Sequence, residues 1–248
     1  SKRPTVIFVH ALNAYGFSQL RRFNEHNVDI NRNWLTPENF TTLAATDPNV
    51  YGYMDVFDAL NPSSMSSSVA DSYWAKVAYY LTTKGFAAIK RALVSGNYRF
   101  PKSIFYGGNK LQPSLRILRA FLEEHVELDK VHAFGMIDVH TGLGKPGVDT
   151  LMVESTSDVK LVEQVFGDYE RAQKNIVPLR ESSGNKVSEG YDGSFGIIMD
   201  GVATLLPPQS KAKNVLVLQE FGTVPGAFIL KAVAEENFVF HAAPAQRL

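Results

Sequence analysis

Ile137-Asp138-Val139-His140-Thr141-Gly142-Leu143-Gly144 closes an apolar run that starts near residue 131, and its reading decides the fold. Period-two alternation makes it a strand with Asp138 and His140 on one face. Val215-Leu216-Val217-Leu218-Gln219-Glu220-Phe221-Gly222-Thr223 has the same design, a buried strand that ends in a carboxylate just before a turn. Shorter apolar runs at 5–10, opening with Thr5-Val6-Ile7-Phe8-Val9, and at 150–154 add two more strands. Helix-period stretches at 69–95, 113–126, 156–173 and 225–237 lie between or beside them. Strands crossed over by helices predict one α/β domain over 1–248, a mixed and mostly parallel sheet flanked by helices. Residues 35–68, rich in Pro, Asn, Asp, Thr and Ser, read as a long surface loop.

Composition narrows the chemistry. Lys plus Arg equals Asp plus Glu at 25 each, so no excess charge favours phosphates or an anionic membrane, and nucleic acid is not an expected partner. Cysteine is absent, which excludes disulfides, thiolate metal sites and a cysteine nucleophile. Any metal must be held by His, Asp or Glu. No apolar run reaches the roughly 20 residues that span a bilayer, and no membrane partner is expected. A chain without Cys fits the cytoplasm.

Four segments carry candidate chemistry. Arg21-Arg22-Phe23-Asn24-Glu25-His26-Asn27-Val28-Asp29-Ile30-Asn31-Arg32-Asn33-Trp34 follows Asn13-Ala14-Tyr15-Gly16-Phe17. So many planar forks and amides in one loop either grip a carboxylate or oxyanion, or form a hydrogen-bonded turn network. His140, at the carboxyl end of a strand ahead of a glycine turn, can ligate a metal in a cleft or serve the structure alone. Glu220 is a buried carboxylate, which costs several kcal/mol unless paired or used in chemistry; it is a candidate general base or the partner of an arginine. Asn97-Tyr98-Arg99-Phe100-Pro101 with Phe105-Tyr106-Gly107-Gly108 would make a pocket wall or ordinary turn packing.

In this order the segments resemble the M14 zinc carboxypeptidase superfamily, and within it the DUF2817-type metallopeptidases. The resemblance runs over most of the chain, and the arginine segment and Ile-Asp-x-His-Thr-Gly-Leu-Gly carry it most specifically. It implies a metallocarboxypeptidase-like hydrolase with one zinc at the carboxyl ends of central strands, acting on peptide or acyl-amino-acid substrates. His140 would be the third zinc ligand, supported from behind by Asp138. Glu220 would take a proton from the attacking water and pass it to the leaving amine. Arg22 matches the arginine that steadies the oxyanion. Asn31 and Arg32 match the pair that holds a substrate's terminal carboxylate, with Arg21 beside them in the substrate-binding set. Tyr191, within Gly190-Tyr191-Asp192-Gly193, lies where a substrate-covering tyrosine could be and receives no role.

One departure matters. The family's first two zinc ligands come from a His-x-x-Glu motif, and none of the six histidines is followed by Glu at the third position. Two explanations compete. Either the other ligands lie in an N-terminal segment upstream of Ser1, which the abrupt start inside an apolar run favours, or the protein is a metal-free carboxylate-binding or scaffold module. A deacylase of N-acyl amino acids would use the same residues. A serine hydrolase is disfavoured, because Asp192-Gly193-Ser194-Phe195-Gly196 lacks both the leading glycine and the preceding strand of a nucleophile elbow.

Overall fold

The computed structural model describes residues 4–64, 66–142, 146–153, 159–167, 176–178, 194–207 and 214–242. Its strands are Phe134–Gly142 (β1), Asp149–Val153 (β2), Ile176–Pro178 (β3) and Asn214–Gly222 (β4), and they form one sheet in the order β1-β4-β2-β3. β1 runs parallel to β4 and β2 parallel to β3, while β2 and β4 are antiparallel. The described helices are Ala14–Ser18 (α1), Pro37–Ala45 (α2), Phe57–Leu60 (α3), Ser67–Thr83 (α4), Phe86–Ser95 (α5), Pro113–His125 (α6), Val159–Phe166 (α7), Ile198–Leu205 (α8) and Gly226–Ala242 (α9). The fold is thus mixed α/β, a small mixed sheet flanked by helices. No described helix is long and apolar enough to cross a membrane.

Register sorts the strand residues onto two faces. One carries Phe134, Met136, Asp138 and His140 of β1, Leu216, Leu218 and Glu220 of β4, and Thr150 and Met152 of β2. Its apolar part packs on Ile197, Met199, Ala203 and Leu206, in and around α8. The other carries Leu151, Val153, Val215 and Val217, which pack on Val162 and Phe166 of α7. That cover stops short of β1, where Ile137 and Val139 are 53% and 61% exposed. β1 is also one of the two edges of the described sheet, paired with β4 alone among the described strands.

Three expectations are corrected. Residues 5–10 form no strand: Val6, Ile7, Phe8 and Val9 are all exposed, Phe8 at 91%, because no described strand pairs with them. An apolar run supplies strand propensity but not a ladder partner. Residues 35–68 are not a plain surface loop. Thr36 caps α2, its hydroxyl accepting from Asn39 N at 3.3 Å, with Pro37 in the first turn. Tyr53, Val56 and Leu60 are buried in a core with Phe23, Ala92, Ile104 and Phe105. The helix expected over 69–95 is two helices, α4 and α5, because Gly85 at φ +79 and ψ 163 takes a conformation that only glycine adopts readily. The helices expected at 113–126 and 225–237 and the strands at 131–139 and 214–220 form within a few residues of those bounds. The ends of the segments at 150–154 and 156–173 lie outside the described residues.

Candidate functional site

The arginine and asparagine loop is held by its own amides. Asn24 Oδ1 accepts from His26 N and Val28 N at 3.0 and 2.9 Å, while its Nδ2 donates to Gln112 Oε1 at 2.9 Å. Asn27, at φ +59, donates to the carbonyls of Pro101 and Ser103. Asn33 donates to those of Gly107 and Lys110 and accepts from Gln112 N at 2.7 Å. These three asparagines serve a turn network that ties the loop to the Tyr98–Gln112 segment.

The two adjacent arginines part company. Arg21 points inward, its guanidinium 3.4 Å from the Phe240 ring centre. Its Nε meets Glu236 Oε1 at 3.1 Å and its Nη2 donates to Asn27 Oδ1 at 2.9 Å. Those contacts make it a tie between the loop and α9. Arg22 stays at the open side, about a third exposed, with Nε on Asp29 Oδ2 at 2.8 Å. Burial pushes the Asp29 carboxyl up, but the charges of Arg22 and Arg32 and the hydrogen bonds from Arg22 and Asn31 outweigh it and hold the group below its ordinary range.

Asn31 and Arg32 follow on a 3₁₀ turn, Ile30–Arg32, capped by Asp29, whose Oδ1 accepts from Asn31 N at 3.1 Å. Asn31 Oδ1 in turn accepts from Ile198 N at 3.0 Å, the first residue of α8. Arg32 is buried; its Nη1 donates to the Asn31 carbonyl at 2.7 Å, and its own carbonyl accepts from Tyr98 Oη at 2.7 Å. Burial raises the Tyr98 hydroxyl's pKa, with Arg32 opposing, which keeps it protonated as a donor. The fit needs a glycine at 196, at φ +65, where an added Cβ would lie 2.4 Å from the Arg32 carbonyl oxygen.

At the carboxyl ends of the strands, His140 Nε2 lies 3.0 Å from Asp138 Oδ2. His140 stands opposite Glu220 in the β1–β4 ladder, and Glu220 stands opposite Thr150 of β2. Glu220 is buried. The two halves of the site meet through α8. Its Ile198 and Val202 pack with Ile30 of the arginine loop, and its Met199 and Ala203 with Leu216 and Leu218 of β4. Thus His140, Asp138 and Glu220 are neighbours, and the Arg22–Arg32 turn is seated on the helix that covers the same face of the sheet. Tyr191, Leu143 and Gly144 lie outside the described residues.

Sequence reasoning passed over Asp29, the carboxylate that sets both Arg22 and Asn31. Its signal was present: one acid among four arginine and asparagine neighbours. The Asn31 cap on α8, 167 residues away, had no sequence signal. Among the described residues, no group of three or more His, Cys, Asp or Glu side chains could hold a metal ion.

A mixed α/β domain with a histidine and a buried carboxylate in register at the ends of adjacent parallel strands defines the class of this protein. The chain belongs to the family described as "Protein of unknown function (DUF2817)", whose model matches residues 1–247. No curated protein and no solved structure matches it.

Proposed function

We propose that the protein hydrolyses an amide or peptide bond in a substrate that carries a free carboxylate, with Glu220 as proton carrier. The in-register pairing of Glu220 with His140 supports this most, at the carboxyl ends of β1 and β4 where α/β sheets bind ligands. The reading extends to the M14 zinc carboxypeptidase superfamily, and the substrate class to peptides or N-acyl amino acids. Glu220, buried beside a histidine, takes a proton from the attacking water and hands it to the leaving nitrogen. Arg22, about a third exposed and fixed by its Nε on Asp29, is the proposed donor to the oxyanion. Asn31 and Arg32 hold the substrate carboxylate.

Zinc is the proposed cofactor by resemblance, and the residue types at the strand ends are ones zinc accepts. The described residues bring no set of three such groups together, so by themselves they do not fit a zinc ion. A second reading is a metal-free carboxylate-binding protein, supported by the arginine and asparagine turn, which its own hydrogen bonds assemble.

The test is hydrolysis of C-terminal peptides and N-acyl amino acids by the natural polypeptide supplied with zinc, beside Glu220→Gln. The expected result is turnover by the wild type, loss of roughly 10²–10⁴-fold in Glu220→Gln, unchanged melting, and about one zinc per chain. Turnover unaffected by the substitution, or none on either substrate class, would end the hydrolase reading. Carboxylate binding that is indifferent to chelation and to Glu220→Gln would establish the second.

A further inference from the structure

The Asn97-Tyr98-Arg99 segment walls an open cavity of about 390 Å³, within the roughly 300–1,000 Å³ of small-molecule sites. None of Glu220, His140, Asp138, Arg22, Asn31 and Arg32 lines it. Hydrogen bonds within the chain set its walls. Asn97 Oδ1 accepts from Arg99 N and Phe100 N at 3.3 and 2.8 Å, and Tyr98 Oη donates to Arg32 O at 2.7 Å and lies 3.4 Å from Phe195 O. On the wall from residues 43–51, Val50 N donates to Asp47 O at 3.1 Å and Asn49 N to Asp47 Oδ1 at 2.9 Å. Two features of the lining point to a ligand. Tyr51 and Phe195, both half-buried, stand 5.5 Å apart between ring centres at an interplanar angle of 55°. Arg99 and Asp47 are exposed and line the same cavity, and among the described residues neither is in an ion pair. An aromatic lining with one cation and one anion that do not neutralise each other is complementary to a molecule carrying a ring, a carboxylate and an ammonium group.

We infer that this cavity binds a free α-amino acid with an aromatic side chain, in its zwitterionic form. Arg99 takes the carboxylate, Asp47 the ammonium group, and the Tyr51–Phe195 pair the ring. The inference is independent of the hydrolase reading, since the cavity shares no lining residue with the groups assigned there. The two adjoin only through Tyr98, whose hydroxyl holds the Arg32 carbonyl.

The test is calorimetric titration with L-phenylalanine, 3-phenylpropanoate, phenethylamine and L-alanine, which remove in turn the ammonium group, the carboxylate and the ring, and none of which has an amide to hydrolyse. Wild type should bind L-phenylalanine at least about tenfold more tightly than each of the other three. Arg99→Gln should bring L-phenylalanine and phenethylamine within about twofold of each other, and Asp47→Asn should do the same for L-phenylalanine and 3-phenylpropanoate. Both residues are exposed, so neither substitution disturbs packing, which unchanged melting checks. No binding of L-phenylalanine, equal affinity for the four compounds, or a preference that survives either substitution overturns the inference. L-Phenylalanine binding of this pattern without peptide or acyl-amino-acid hydrolysis would end the hydrolase reading and leave the cavity's assignment standing; hydrolysis without L-phenylalanine binding would do the reverse.

Discussion

Asp29 bears more of the site than any other single residue, since it pairs with Arg22, receives Asn31 N and sits beside Arg32. Asp29→Asn removes the negative charge that faces both Arg22 and buried Arg32, and urea unfolding at pH 7 should show a loss of about 3 kcal/mol. The sign of the pH effect follows from the direction of its shift. A carboxyl held below its ordinary value of 3.8 in the folded state contributes fully above that value and loses its contribution as pH falls from there to the lower folded one. The gap between wild type and Asp29→Asn should therefore be constant from pH 7 to about 5 and narrow below 3.8. Two glycines differ in what a side chain would meet. Gly85 has nothing within 4 Å of an added Cβ, whereas Gly196 has the Arg32 carbonyl at 2.4 Å. Gly85→Ala should cost only its backbone strain, about 1–3 kcal/mol. Gly196→Ala should cost more and also dislodge the Trp34 N to Gly196 O bond at 3.0 Å, and thermal melting of the pair checks the order.

Elements were legible where a packed face imposes a period. β4 reads as a strand because Val215, Val217, Leu216 and Leu218 are packed between α7 and α8. α6 reads as a helix because Leu115 and Leu122 point to one core while Ile117 stays 70% exposed. α2 was missed because Pro37-Glu38-Asn39-Phe40-Thr41-Thr42 buries a single side chain, Phe40. Its start signal, Thr36 followed by Pro37, was nonetheless in plain view. Thr36→Ala should cost about 1 kcal/mol, seen as a melting point lower by about 2–4 °C. The break between α4 and α5 turns on one backbone angle at Gly85, which hydrophobic periodicity does not report.

Across the whole molecule, long-range ties decide what sequence could not. Arg21 joins a loop near the chain's start to Glu236, Asn237 and Phe240 on α9, and a fork stacked on a ring is a task lysine cannot perform. Arg21→Lys should lower stability by roughly 2 kcal/mol, with faster amide hydrogen exchange in α9 and a normal rate in β4. The same limit explains the candidate site. His140 and Glu220 were visible as two polar strand ends, but their adjacency depends on β4 lying next to β1, a neighbour chosen across about 80 residues of chain. The candidacy of Arg22 over Arg21 rests on which of two consecutive side chains turns outward, and only packing against Phe240 decides that.

The uncovered flank of β1 also has a bearing on handling. A nine-residue ribbon with Ile137 and Val139 in solvent and one row of amides unmatched by any described strand lacks the lysines, prolines and bulges that keep such ribbons from joining. Val139→Lys, which sets a charge on that exposed flank, should therefore lower the light scattering of concentrated solutions relative to the wild type.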